Sequence, residues 1–418
     1  MSKIQKPNKI INKKTLLVTI DIGKTTNYAY MRCPNGDDVK PFKISNTRRG
    51  FNLLWKCVSE MKQRYQLTDV VVGVESTGPY GIPLMYFLDT KPVTQVLVNT
   101  KHTKKVKELL DNSPGKSDKK DPYVMADIIE LNRWLHVVLP HGVVAELRHY
   151  SHSLDRHKTT RTGFYNQLQG LIFQIFPEFH QVLKDVTTKT AQYLIRHYPT
   201  PQSIVNLGLD ELTALIKQKS HGKMKADRAK QLYDAAQHSV GIRDGLVSIT
   251  QEIGHLVAMI DQLNGYIQEF EAIISDLLTQ VPISRYLLSV KGYGKVTVAC
   301  IIGEIVDFSQ FEVKEELVKY SGLNLFEISS GAHQGQKHIS KRGRPLLRKI
   351  LFFAAMNVVR KGGIYHDKYQ AYLDRGMPKL KALTAISRKL LRLTYALVRD
   401  QREFELHYSA DDKFRQAA

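Results

Sequence analysis

Four acidic residues in three separate stretches have the type and setting for metal chemistry. Asp21 follows the apolar run Leu16-Leu-Val-Thr-Ile20, and the turn after it leads into a second strand-like run, Tyr28 to Arg32. Glu75 ends another buried-type run, Val70-Val-Val-Gly-Val74. Asp118 and Asp121 lie three residues apart in Ser117-Asp-Lys-Lys-Asp121. Any one of these acids alone reads as a helix cap or a surface charge. Four carboxylates delivered to one place must hold a cation or repel one another. Carboxylates alone form a hard-oxygen site, which selects Mg2+ or Mn2+ over zinc. Two such ions about 4 Å apart stabilise both the attacking and the leaving oxygen of a phosphodiester transfer.

The elements that would have to position these acids follow from the apolar pattern. Strands are expected at Leu16–Ile20, Tyr28–Arg32, Val39–Ile44, Val70–Val74 and Gln95–Val98, with helices at Arg49–Tyr65, Gly81–Asp89, Thr103–Leu110 and Tyr123–Leu135. Three strands, a helix, then strands alternating with helices describe an α/β domain with a mixed sheet. Adjacent strand ends in such a sheet can carry Asp21 and Glu75 side by side. Pro122 fits a first helical turn but not a later one, which puts Asp121 at the helix cap and Asp118 in the turn before it.

From Val143 to about Gln280 the pattern is almost entirely helical. The series Ile249, Ile253, Val257, Ile260, Leu263, Ile267 and Phe270 fits a long amphipathic helix or coiled coil over Val247–Leu278. It can pack inside one chain or form an oligomer seam. Ser220 to Lys230 reads as a solvated basic turn. In the last third, Gly292-Tyr-Gly294 lies between two helical patterns, as in a helix-hairpin-helix, where glycines let backbone amides approach a phosphate; an ordinary helix turn has the same pattern. Six Lys or Arg fall between Lys337 and Lys349, beside a glycine-rich loop. An apolar helix is expected from Pro345 to about Val359, and a basic amphipathic helix from Lys379 to Arg399.

Composition narrows the class of partner. The 418 residues carry 61 Lys and Arg against 40 Asp and Glu, a net charge of +21, which favours a polyanion, nucleic acid first. Cys33, Cys57 and Cys300 have no Cys-x-x-Cys spacing, so neither a disulfide framework nor a zinc site is expected, and a reducing cytosol fits. No run of about 18 apolar residues marks a membrane span. The Lys-rich start, residues 1–14, reads as a flexible basic arm.

Asp21-Ile-Gly-Lys-Thr-Thr26 also resembles the phosphate loop of actin-like ATPases and sugar kinases. The later Asp374-Arg-Gly376, beside a basic helix rather than after a strand, does not supply their second loop. A resemblance over nearly the whole chain is to the DEDD transposases, the Piv invertase and insertion-sequence 110 family. It is carried by Asp21, Glu75, Asp118 and Asp121, by Glu75-Ser-Thr-Gly-Pro-Tyr80, Val98-Asn-Thr-Lys101 and Lys116-Ser-Asp-Lys-Lys-Asp121, and by Val290-Lys-Gly-Tyr-Gly294, Gly303-Glu-Ile-Val-Asp-Phe308, Tyr320-Ser-Gly-Leu323, Ser329-Ser-Gly331 and Ile339-Ser-Lys-Arg-Gly343. Pro122 departs from the small residue expected after the last acid.

The resemblance implies a RuvC-like, ribonuclease-H-fold catalytic domain over 15–140, a helical linker and coiled coil over 141–281, a mostly helical transposase domain over 282–405 and a tail over 406–418. Asp21 would bridge the two ions, with Glu75, Asp118 and Asp121 completing the shell. Ser330, with Ser329 as fallback, would be a nucleophile that holds the cleaved strand covalently; from the residues alone both are loop serines. Ser321 and Ser340 read as turn and cap residues. Lys291, Gly292, Gly294, Lys295, Lys337, Lys341, Arg342, Arg344 and Arg348 are candidates for nucleic-acid contact. The implied activity is site-specific recombination of donor and target DNA, guided by a noncoding bridge RNA and carried out by a dimer or tetramer in a bacterial or archaeal cytoplasm, associated with the nucleoid. Ser330 is far along the chain from the acids, so domains of one protomer or of two would have to meet. A hydrolytic junction-resolving nuclease that uses only the acids is the alternative.

Overall fold

The computed structural model describes residues 10–75, 78–100, 103–106, 121–327, 335 and 337–406. Asp118, Ser329, Ser330, the first nine residues of the basic arm and the tail beyond Leu406 lie outside the described residues. The chain divides into two units, Met1–Leu139 and Pro140–Ala418.

In the first unit the order is β1 (Thr15–Asp21), β2 (Thr26–Arg32), β3 (Val39–Ser45), α1 (Arg48–Arg64), β4 (Asp69–Glu75), a short 3-10 turn (Gly78–Gly81), α2 (Ile82–Asp89), β5 (Thr94–Val98), α3 (Asp121–Glu130) and β6 (Leu135–His136). The sheet order is β3-β2-β1-β4-β5-β6. Short connections make β1, β2 and β3 an antiparallel meander, while crossovers through α1 and α2 leave β1, β4 and β5 parallel. The sheet is therefore mixed, as expected.

Both faces of the central strands are covered, which is why those strands read as near-continuous apolar runs. Leu16, Val18 and Ile20 pack with Leu54 and Val58 of α1 and Leu84 and Leu88 of α2. Leu17 points the other way and joins Val71, Val96 and Val98 against Val124, Met125, Ile128 and Ile129 of α3. Each such side chain, fully buried, contributes roughly 1.5–3 kcal/mol. Because side chains alternate along a strand, Thr19 and Asp21 lie on the α3 side with Leu17.

Two sequence expectations need correction here. The helix expected over Tyr123–Leu135 ends at Glu130, and Leu135–His136 instead pairs antiparallel with β5. Asn132 takes a left-handed conformation (φ 54°), and the Arg133 amide reaches back to the Ile128 carbonyl, closing the helix. Asp121 is the first residue of the helix rather than the residue before it, so Pro122 still falls in the first turn.

Among the described residues, the regular elements of the second unit are helices apart from one short hairpin. α4 (Gly142–Ile175) is followed by α5 (Phe179–Val182), α6 (Lys189–His197), α7 (Pro201–Leu207), α8 (Leu209–Lys219), α9 (Ala226–Gln237) and α10 (Leu246–Thr279). The basic stretch thought to be a turn through Lys230 becomes helix from Ala226. α4 and α10 run antiparallel, with Lys158 2.7 Å from Glu271 and Arg161 2.7 Å from Asn264. Ile253, Ile260, Ile267 and Ile274, seven residues apart, are buried along α10. Their seam packs against α4 within the chain. One end of this pair shares a core with α5 to α9. The other end shares a core with α11 (Ser284–Leu288), α12 (Lys295–Ile305), α13 (Lys314–Ser321), α14 (Pro345–Val358) and α16 (Lys379–Arg399). α15 (His366–Asp374) lies between the last two, and β7 (Leu325–Phe326) pairs with β8 (His338–Ile339). Among the described residues no helix is long and apolar enough to cross a membrane.

Candidate active site

Asp21 and Glu75 are brought together by strand register. Ile20 pairs with Val74 in the parallel β1–β4 ladder, so the two acids are the next residues of neighbouring strands. Strands so paired lie about 4.8 Å apart, and residues in register point to the same face. Both acids are half-buried. They leave the sheet at one level, on the side that α3 covers.

Asp121 is brought to the same end of that face by a hydrogen bond. Thr19, two residues before Asp21 and on its face, donates its hydroxyl to the Pro122 carbonyl at 2.6 Å, in a buried setting. The first turn of α3 is thereby fixed over the end of β1. A carboxylate there also meets the positive end of the helix dipole, so a purely structural role for Asp121 has a physical basis as well. Arg32 holds the far end of α3 through Asp127 at 2.7 Å and Glu130 at 3.2 Å. Among the described residues no three His, Cys, Asp or Glu side chains form a metal site by themselves; the fourth acid of the set, Asp118, lies outside them. The donors present are all carboxylate oxygens at adjacent strand and helix ends, which fits a hard divalent cation.

One further positioning residue has no sequence signature. Asn46 donates its side-chain amide to the carbonyls of Gly23 (3.3 Å), Lys24 (3.4 Å) and Tyr80 (3.0 Å). It ties the turn after Asp21 to the segment that follows Glu75. Thr19 was equally hidden, since a threonine inside an apolar strand reads as an ordinary β-former.

In the second unit, β7 and β8, which flank in sequence the stretch with Ser329 and Ser330, pair Leu325 with Ile339 and Phe326 with His338. Beside that pair two glycine motifs clasp each other. The Ser340 hydroxyl meets the Gly322 carbonyl at 3.2 Å and Asn324 Oδ1 at 2.5 Å. Gly343 has φ 154°, and a Cβ there would lie 2.2 Å from the Tyr320 carbonyl oxygen. Ser321 is the last residue of α13 rather than a turn residue; it is fully buried and donates its hydroxyl to the Val318 carbonyl.

Several candidate nucleic-acid ligands are engaged within the protein. Arg344 donates to the Tyr320 hydroxyl at 2.8 Å and lies over its ring. Arg348 donates to the Ser321 carbonyl at 2.8 Å, and Lys337 is 3.7 Å from Glu327. Lys341 and Arg342 are exposed, and among the described residues neither has an ion-pair partner. In the glycine turn between α11 and α12, Lys291 is exposed and Lys295 bonds Ser275. Gly292 has φ 114°, and a Cβ there would meet Val358 of α14 at 2.7 Å, so its missing side chain serves helix packing. Gly294 has open space beside it and caps α12.

A buried carboxylate that sequence reasoning passed over braces this region. Glu304 of α12 is 2% exposed, 2.6 Å from His152 Nε2 and 4.0 Å from Arg148 Nε of α4. Its backbone carbonyl accepts the Tyr320 hydroxyl at 2.8 Å. Burial alone would push the Glu304 carboxyl up, but the His152 hydrogen bond and the charges of Arg148 and Arg344 hold it below the ordinary value.

Comparison with known proteins fits both halves of this geometry. A family model for DEDD-type IS110 transposases matches residues 18–177, and one for the transposase IS116/IS110/IS902 family matches residues 284–370. The first span contains Asp21, Glu75, Asp118 and Asp121, and the second contains Ser330 and the basic stretch after it. The insertion element IS110 protein of Streptomyces coelicolor is 24% identical over 398 residues, covering 92% of this chain and 94% of that one. The insertion element IS116 protein of Streptomyces clavuligerus is 23% identical over 291 residues, covering 69% and 73%. The pilin gene-inverting protein of Moraxella bovis is 31% identical over 209 residues, covering 47% and 59%. The chain belongs to the IS110 family of transposases. It is an enzyme of the DNA transposase and recombinase class.

Proposed function

We propose that this protein moves an insertion sequence by cutting and rejoining DNA through a phosphoserine link, with a bridge RNA selecting donor and target. The reading rests chiefly on the register that sets Asp21 beside Glu75 on the face where Thr19 anchors the helix of Asp121. Those acids, with Asp118, would hold Mg2+ or Mn2+, whose charge would stabilise the attacking and leaving oxygens. Ser330 attacks the phosphorus of one strand as its hydroxyl proton passes to water, and the strand oxygen that leaves takes up a proton and stays on its DNA end as a hydroxyl. One ester bond replaces another, so a later strand hydroxyl can reverse the exchange and rejoin the DNA. The relative named for pilin gene inversion supports joining over simple cutting. A net charge of +21 suits holding both RNA and DNA. A paired substrate implies a dimer or tetramer.

Trapping a denaturation-stable protein–DNA adduct tests this. Wild type and Ser248→Ala, an exposed serine of α10, are expected to form it, and Ser330→Ala is expected to lose it. Loss in Ser329→Ala instead moves the role by one residue. Robust cutting by Ser330→Ala with no adduct in wild type would overturn the reading in favour of a hydrolytic nuclease.

A further inference from the structure

The helix that closes the chain's last core carries a group of cations that the hairpin and the acids do not account for. α16, Lys379–Arg399, contains six Lys or Arg and no acid. Its apolar face is buried through Ile386, Leu390, Leu391 and Leu397. Arg388 and Arg392 lie on another face, one turn apart and about 6 Å along the axis, with Lys389 beside them. α15 packs alongside and adds Lys368, whose ammonium lies 5.8 Å from the Tyr372 ring centre. The acid within ion-pair distance is Glu315, 3.6 Å from Arg392 Nε. Among the described residues, four cations thus have one carboxylate within ion-pair distance.

A solvated charge run would explain free, mobile cations, but these are partly buried. The Nε atoms of Arg388 and Arg392 are shielded from solvent, and neither has a hydrogen-bond partner among the described residues. Burial, and then Arg392, push the Arg388 guanidinium below its usual value. Burial, and then Lys368, Arg392 and Arg388, do the same to Lys389. A folded protein that crowds like charges beneath unsatisfied donors gains when an anion enters.

We infer that Lys368, Arg388, Lys389 and Arg392 form a phosphate-binding site on α15 and α16 that grips the phosphodiester backbone of a nucleic-acid strand. Two arginines a turn apart offer donors for two phosphates, and the site carries no sequence readout because it presents charge alone. The inference depends on the protein acting on nucleic acid, and it adds where a strand is held. DNA and RNA present the same phosphodiester, so both are probes.

The full chain is titrated with a labelled random-sequence DNA duplex and a labelled random-sequence RNA hairpin over a range of salt concentrations. Each lost phosphate contact lowers the slope of log affinity against log salt by about 0.9 on duplex DNA and somewhat less on single strands. Arg388→Gln/Arg392→Gln is expected to lower the slope by about 2 on the probe that occupies the site. Arg388→Lys/Arg392→Lys should keep it, and Lys230→Gln, on α9, should keep it as well. If the double glutamine variant does not fold, Lys389→Gln gives the reading, with an expected fall of about 1. Wild-type slopes on both probes in the neutralised variant overturn the site but leave the recombinase reading intact. Failure of wild type to bind either probe overturns both.

Discussion

Thr19 donates a 2.6 Å hydrogen bond to the carbonyl of Pro122, across 103 residues of chain. That contact joins the strand ending in Asp21 to the helix beginning with Asp121, so the distance between two candidate metal ligands depends on a neutral hydroxyl. Thr19→Val keeps the shape and the β-propensity but removes the second hydrogen bond that the Pro122 carbonyl accepts beside its helical one. It is expected to cost about 0.5–1.5 kcal/mol of stability and to weaken Mn2+ binding about 10-fold. Chemical denaturation and metal titration of the same sample separate the two effects.

Neutralising the acids should act on chemistry and not on folding. Asp21→Asn and Glu75→Gln are expected to lower DNA strand cleavage at least about 100-fold, with the melting temperature held or raised, since like charges at one sheet end are relieved. A timed cleavage assay at saturating Mg2+ checks the first part and a thermal melt the second.

Gly343 is the point where a single methyl group should disable the second unit. Its Cβ would fall 2.2 Å from a backbone oxygen rather than a movable side chain. Gly343→Ala is expected to cost about 2–3 kcal/mol and to abolish adduct formation while Mn2+ binding persists. Equal adduct yield in this variant would show that the clasp beneath β7 and β8 does not matter to the serine loop.

Glu304 gives the fold an acid-sensitive brace. Its carboxyl is held below the ordinary value of 4.5, so its contribution is fully present above that pH and is lost as pH falls through the lower folded value. Wild type should therefore lose melting temperature below about pH 4.5. Glu304→Gln should start about 1–3 kcal/mol less stable at neutral pH and decline less on acidification. Parallel melting curves for the two proteins would remove Glu304 from the account.

The sheet was legible because burial on both faces leaves apolar runs such as Val70–Val74 that nothing but a strand explains at that length. Asp21 and Glu75 were legible for the same reason: each is the first charge after such a run. The end of α3 was not, because Leu131 and Trp134 continue the apolar pattern past the point where Asn132 turns the backbone. α10 showed its seven-residue spacing plainly, but the sequence could not say that α4 would cover it. Glu304, Thr19 and Asn46 were invisible for a common reason. Each works through one partner distant in sequence, and no periodicity records such a pairing. In the basic stretch after Lys337, the use of Arg344 and Arg348 to hold α13 was not legible either, since a run of cations records no internal partner.

Equilibrium binding of Mn2+ to the full chain, read by the loss of the free-ion paramagnetic signal, tests the shared carboxylate site most directly. Wild type is predicted to take up the ion, and Asp21→Asn and Glu75→Gln are each predicted to lose most of that uptake while remaining folded. Undiminished uptake by a folded Asp21→Asn/Glu75→Gln double variant would contradict a common metal site at the ends of β1 and β4.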